Sequence, residues 1–164
     1  MSTQAGWVKR GVRVYTIITG AKMDVKFLRR NIFQRICGIP ATPKPENTVS
    51  WSYSNGQVII DLGKVPELRS PWSAVRLEGA GLPVRILVVH AEDGSFCAFR
   101  NRCTHFGHRR LDPVPGTHTV QCCSVNKSTY DLSGKRIYGP AKHSITAYPV
   151  RKESDKLIIT IHIQ

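Results

Sequence analysis

From Trp51 onward the chain is divided into short β-branched and aromatic runs by Gly, Pro, Asp and Ser turns, and that punctuation commits it to a mostly β fold. The expected strands are Gln57 to Leu62, Ala74 to Leu77, Val84 to His90, Phe96 to Asn101, Thr119 to Cys122, Arg136 to Tyr138 and Leu157 to His162. Asp93-Gly94 and Ser133-Gly134 are the tight hairpin signals, because glycine takes the positive φ that such turns require. There is no internal repeat and no low-complexity tract.

Ahead of this β region, residues 1–50 read as a basic N-terminal extension and a linker interrupted by Pro40, Pro43 and Pro45, leaving residues 51–164 as one domain. A length of 164 residues suits one such domain with a sizeable core and excludes a large multidomain enzyme. The formal charge of +13 is uneven, since residues 1–40 carry eight Lys or Arg against the single acid Asp24. A basic arm of this kind suits nucleic acid, an anionic membrane surface or an acidic protein. No RNA-binding or helix-turn-helix signature accompanies it, so specific nucleic-acid binding is not expected.

The longest apolar stretches, Ile86 to Val89 and Leu157 to Ile161, fall far short of the roughly 20 residues of a membrane-spanning helix. A soluble protein is therefore expected. Five cysteines, Cys37, Cys97, Cys103, Cys122 and Cys123, are an odd number and follow no secretory signal. That usage points to a reducing compartment, hence a cytoplasmic location. An organelle matrix is the alternative, if the acid-poor leader before Met23 is a transit peptide; an over-extended upstream reading explains that leader equally well.

The chemistry is concentrated in Cys103-Thr104-His105-Phe106-Gly107-His108 and, after a Pro/Gly-rich loop, in the run from Cys122 to Asp131. Seventeen residues separate His105 from Cys123. A Cys-x-His pair sets a thiolate and an imidazole on one loop, and a second loop with another cysteine can close on the same metal centre. A zinc ion held by Cys103, His105, Cys123 and His108 would satisfy that metal's preference for four N/S ligands, although the wide loop separation argues against it.

This pattern resembles the Rieske family, with the likeness running from about Gln57 to Ile163 and including Gly139-Pro140-Ala141. The resemblance implies an antiparallel β-sandwich with a small cluster-binding subdomain of two loops. It also implies a [2Fe–2S] cluster whose inner iron is held by two cysteines and whose outer iron is held by two histidines. Neutral imidazole in place of thiolate eases reduction, so Rieske potentials lie at about −150 to +300 mV against about −400 mV for plant-type ferredoxins. Counting back from Tyr130-Asp131 makes Cys123 the second ligand cysteine, beside Cys103 and His105. Ser128 and Tyr130 would then donate hydrogen bonds to a bridging sulfide and a cysteine sulfur.

The same count puts Asn126 where the family has its second histidine, and Lys127 where a glycine normally follows. An amide oxygen is a weak donor for iron beside thiolate and imidazole. Lysine disfavours positive φ, so a different loop path is expected there. Three sources of a fourth ligand remain open: His108, Cys122, and Asn126 or a water beside it. Strand alternation argues against Cys122, because neighbouring strand residues point to opposite faces. His108 stands where quinol-oxidising members carry a disulfide cysteine, and with Val125 at the partner position that bridge cannot form, as in the soluble ferredoxin-type branch.

Two functions follow. The first is a one-electron carrier between protein partners, without catalysis of its own, steered by its basic surface toward an acidic partner such as a flavoprotein or ferredoxin. The second is a cluster-free interaction or accessory module that keeps the Rieske-like scaffold.

Overall fold

A computed structural model of the chain describes residues 12–14 and 25–162. Its strands are β1 (Val12–Val14), β2 (Lys26–Leu28), β3 (Trp51–Ser54), β4 (Gln57–Asp61), β5 (Ala74–Leu77), β6 (Ile86–His90) and β7 (Phe96–Arg100). They continue as β8 (Leu111–Pro113), β9 (Thr119–Cys122), β10 (Thr129–Asp131), β11 (Arg136–Tyr138), β12 (Ala147–Tyr148), β13 (Val150–Glu153) and β14 (Lys156–Thr160). One short helix, α1 (Ile32–Cys37), precedes the β region. Every strand pair among the described residues is antiparallel, as the sequence led us to expect.

Apart from the β1–β2 ribbon, the strands form three four-stranded sheets in the orders β13-β14-β4-β3, β12-β7-β6-β5 and β11-β10-β9-β8. The middle one is shared by two cores, because its side chains alternate between faces along each strand. Val75, Leu77, Ile86, Val88 and Ala98 point into a first core with Val58, Ile60, Leu157 and Ile159 of the β13-β14-β4-β3 sheet. Ala74, Leu87, Val89 and Phe99 point into a second core with Leu111, Val120, Cys122 and Tyr130. Burial on both faces explains why Ile86, Leu87, Val88 and Val89 form an unbroken apolar run in an antiparallel strand.

Residues 27–42 pack on the β11-β10-β9-β8 sheet. Arg30 bonds Asp112 at 2.7 Å, with both side chains nearly inaccessible. The Asp112 carboxylate also accepts from Ala41 N, Thr42 N and Thr42 Oγ1, each at 2.9 Å. Farther along, Arg76 donates from its backbone to Pro43 O and from Nε to Thr42 O.

The helix α1 is a local event with its own start and stop. Asn31 caps it, accepting from Gln34 N at 2.8 Å while the Gln34 side chain accepts from Asn31 N. Gly38, at φ 64°, ends it in the left-handed conformation that glycine tolerates best. Of the leader expected ahead of Met23, only Val12–Val14 falls within the described residues. Among those residues no helix is long and apolar enough to cross a membrane.

Candidate metal centre

Loop 1 connects β7 to β8, and its two ends are pinned together below the tip. Buried Asn101 accepts Leu111 N on Oδ1 at 2.7 Å, and Cys103 N donates to Arg109 O at 2.9 Å. Loop 2 connects β9 to β10 and is closed by Cys122 N donating to Ser128 O at 2.8 Å. A bond from Cys123 N to Arg110 O at 3.0 Å ties the second loop to the base of the first. The two cysteine-bearing loops therefore share one hydrogen-bonded base.

Lys127 adopts φ 53°, so loop 2 keeps the left-handed turn that a glycine would make easily there. The different loop path expected from lysine is thus corrected. The lysine ammonium lies over the Phe27 ring, 5.0 Å from its centroid, and Lys127 N donates to Ser124 O at 3.3 Å. These contacts offset a conformation that is sterically unfavourable for a side chain.

A third segment supports loop 2 from below. Gly139, at φ 89°, comes so close that a Cβ there would stand 2.6 Å from the Ser128 Cα. Ser128 Oγ accepts from Ala141 N at 3.2 Å. This leaves the serine's own proton available to a further acceptor.

Cys103 and Cys123 are fully buried and Cys122 is 1 % exposed. The Cys122 sulfur lies 3.2 Å from Ser124 Oγ and packs in the second core, which also holds Cys103 and Tyr130. β9 ends at Cys122, and Cys123 opens loop 2 with its sulfur 3.4 Å from Gly38 O. The hydrogen bond from Cys122, with further donors from the His105 and Phe106 amides, lowers the Cys103 pKa to about 5. Cys123 is lowered to about 7, again chiefly by Cys122, whose own thiol is pushed up in return. Tyr130 Oη reaches Cys103 Sγ at 3.6 Å and Thr104 Oγ1 at 3.0 Å.

Toward the surface the donors change from sulfur to nitrogen. The Asn126 amide nitrogen is 3.5 Å from His105 Nδ1, one group from each loop. Phe106 sets its ring edge-on against His105 at 4.2 Å. His108 is exposed, its ring centroid 6.1 Å from that of Phe106. Among the described residues no three His, Cys, Asp or Glu side chains form a ready-made single-ion site. Donors grouped in two layers, thiols below and an imidazole with an amide above, suit instead a centre of two metal ions.

Sequence reasoning passed over α1, which lies against the sulfur layer. Cys123 Sγ is 3.4 Å from Gly38 O, Arg109 Nη2 donates to Ile36 O at 2.8 Å, and buried Arg35 donates to Ser124 O at 3.1 Å. The signal was present in Asn31-x-x-Gln34 followed by Gly38.

A β scaffold that presents two linked loops with thiols below an imidazole defines an iron–sulfur domain. The family model described as the Rieske [2Fe-2S] domain matches residues 61–149, and the chain belongs to that family. No protein of curated function matches it. Among solved structures it resembles the ferredoxin of carbazole 1,9a-dioxygenase from Nocardioides aromaticivorans IC177. That match has a TM-score of 0.50 and 17 % identity, covering 63 % of this chain and 95 % of the ferredoxin. It also resembles a chain of the reduced complex between oxygenase and ferredoxin in carbazole 1,9a-dioxygenase, with a TM-score of 0.50 and 16 % identity over 67 % of this chain and 29 % of that one. At these identities the likeness is one of fold.

The cofactor of the family is a [2Fe–2S] cluster, and the residues present fit one at three of four positions. Two buried sulfurs, already biased toward thiolate, and one half-exposed imidazole have the right chemistry. Across the loops from that imidazole lies the Asn126 amide, a weaker donor for iron.

Proposed function

We propose that this chain is a one-electron carrier in which Cys103 and Cys123 hold the inner iron while His105 and Asn126 face the outer iron. The observation that carries this reading is the 3.5 Å approach of Asn126 to His105 Nδ1 across the two loops. Asparagine stands there as the second histidine would. A half-turn of its amide exchanges Nδ2 for Oδ1, the atom able to ligate directly or through a water. His108, exposed beside Phe106, is the less favoured source of a fourth ligand.

When bound, the cluster supplies reversible uptake of one electron. The chain's own residues exclude water from the sulfurs, hold Cys103 and Cys123 in register through the shared base, and direct hydroxyl protons toward sulfur. Tyr130 is aimed at Cys103. Ser128 keeps a free proton on the side of loop 2 supported by Gly139. Donors of this kind raise a cluster's potential by stabilising the more negative reduced state. The partner is a redox protein with an acidic docking face, and association slows as salt rises.

Iron and sulfide analysis after anaerobic reconstitution tests this reading, together with visible absorbance that dithionite bleaches. Asn126→His should raise iron content and slow cluster loss, and Cys103→Ser should abolish both bands and iron. Wild-type protein that stays colourless after reconstitution would leave the cluster-free module as the function. The Asn126 amide is the observation that favours that second reading.

A further inference from the structure

Eight large apolar side chains are exposed among the described residues, and six of them lie on α1, its exit and the two loops: Ile32 (65 %), Phe33 (67 %), Ile36 (59 %), Ile39 (46 %), Phe106 (41 %) and Val125 (42 %). Four come from α1 and its exit, and two from the tips of loops 1 and 2. Contacts already described make this one surface. Arg109 of loop 1 bonds the Ile36 carbonyl, and Arg35 bonds the carbonyl of Ser124, next to Val125. Apolar side chains concentrated in this way on a monomer mark an interaction site.

The segments that carry the patch are rich in cations, and Glu78, the acid that pairs with Arg110 and Lys44, is mostly buried. Residues 25–45 contain no acid, and residues 100–130 contain only Asp112, which is buried and paired with Arg30. Arg29, Arg102 and Lys142 are exposed, and Lys127 is half-exposed in loop 2. An apolar centre with a cationic rim complements an apolar centre with a carboxylate rim. The helix lies ahead of residues 61–149, so this surface extends beyond the segment the family model describes.

We infer that the outer face of α1, with the tips at Phe106 and Val125, is the docking surface for an acidic redox protein. This rests on the electron-carrier reading for the nature of the partner, and on exposure and charge for its position. The helix is held against loop 2 within two residues of Cys123. A partner seated on Phe33 and Ile36 therefore abuts the loop that carries Cys123 and Asn126. Such contact shortens the path for an electron without a specific bond to the cluster.

The test titrates the full-length chain with an acidic plant-type [2Fe–2S] ferredoxin as probe, by calorimetry at low and at high salt. Val49, exposed at 76 % but remote in sequence from the loops, supplies the control site. Binding should weaken with salt and fall at least about tenfold in the Phe33→Ser/Ile36→Ser double variant. Val49→Ser should bind as wild type, and all three proteins should melt alike. Equal binding by double variant and wild type, or no binding by wild type, overturns the inference. So does a double variant whose measurable loss is of phosphatidylserine-vesicle binding or of self-association, which would assign the face to a membrane or to a second copy. Calorimetric binding needs no cluster. A colourless chain that binds through Phe33 and Ile36 sinks the carrier reading alone, and a coloured chain that ignores them sinks this inference alone.

Discussion

Tyr130 has one hydroxyl proton and two acceptors for it. Thr104 Oγ1, at 3.0 Å, has committed its own proton to His143 O at 2.7 Å and can only accept, while Cys103 Sγ waits at 3.6 Å. Replacing Thr104 by Val removes the competitor and should send the proton to sulfur, raising the potential of the loaded protein. Tyr130→Phe should lower it. A hydrogen bond worth about 0.5–1.5 kcal/mol corresponds to about 20–60 mV for one electron. Voltammetry of both variants checks the opposite signs; a shift in the same direction for both would refute the shared proton.

The sulfurs make a separate prediction for the metal-free chain. Folded Cys103 loses its proton near pH 5, whereas an unfolded cysteine holds it to about 8.5. Its folded pKa is depressed, so the stability it contributes is fully present above the unfolded value and is lost as pH falls through the folded one. The urea midpoint should therefore rise between pH 5 and 8, alongside thiolate absorbance at 240 nm. In Cys103→Ser both trends should shrink. The residues of the proposed centre stood out in the sequence as a Cys-x-His pair and a distant cysteine. The contact of Cys123 Sγ with Gly38 O did not, because it depends on where α1 packs and not on the spacing of the cysteines.

At the scale of elements, the segment from Phe27 to Pro43 works as a strap fastened by two buried charges. Asp112 holds Arg30, Ala41 and Thr42, and Arg35 holds Leu28 O, Ser124 O and Gln121. Removing the carboxylate leaves a buried guanidinium and two backbone N–H groups without their acceptor. Asp112→Ala should cost about 3–5 kcal/mol. It should also release α1, exposing Cys123 to alkylation by iodoacetamide in the metal-free protein; a Cys123 as protected as in wild type would show that α1 stays in place without the strap. The seven strands expected from β-branched runs all form, within a residue or two of their expected ends. Of those that escaped notice, β8, β10 and β12 have two or three residues, too few to display a period, while β3 and β13 have four and carry few buried apolar side chains. The helix escaped because its pattern spans six residues and Pro40, Pro43 and Pro45 follow closely.

The whole molecule is organised around a sheet that belongs to two cores at once. Along β6 the side chains alternate between them, with Ile86 and Val88 in the first and Leu87 and Val89 in the second, and β7 does the same with Ala98 and Phe99. Neither core can lose its packing without stripping one face of the strands that build the other. Loop 1 leaves directly from the end of β7, so the metal centre is anchored in this shared layer. Two consequences are measurable by calorimetry. Leu157→Ala, in the core remote from the loops, should destabilise by about 2–5 kcal/mol and still produce a single transition, with the second core lost at the same temperature. Cluster loading, which touches only the loops, should raise that same transition as a whole, because a ligand bound solely by the folded state stabilises every element that unfolds with its site. Two separable transitions in the variant, or a loaded protein in which only part of the heat moves to higher temperature, would mean that the middle sheet does not couple the cores. The metal centre would then stand on a subdomain that opens alone.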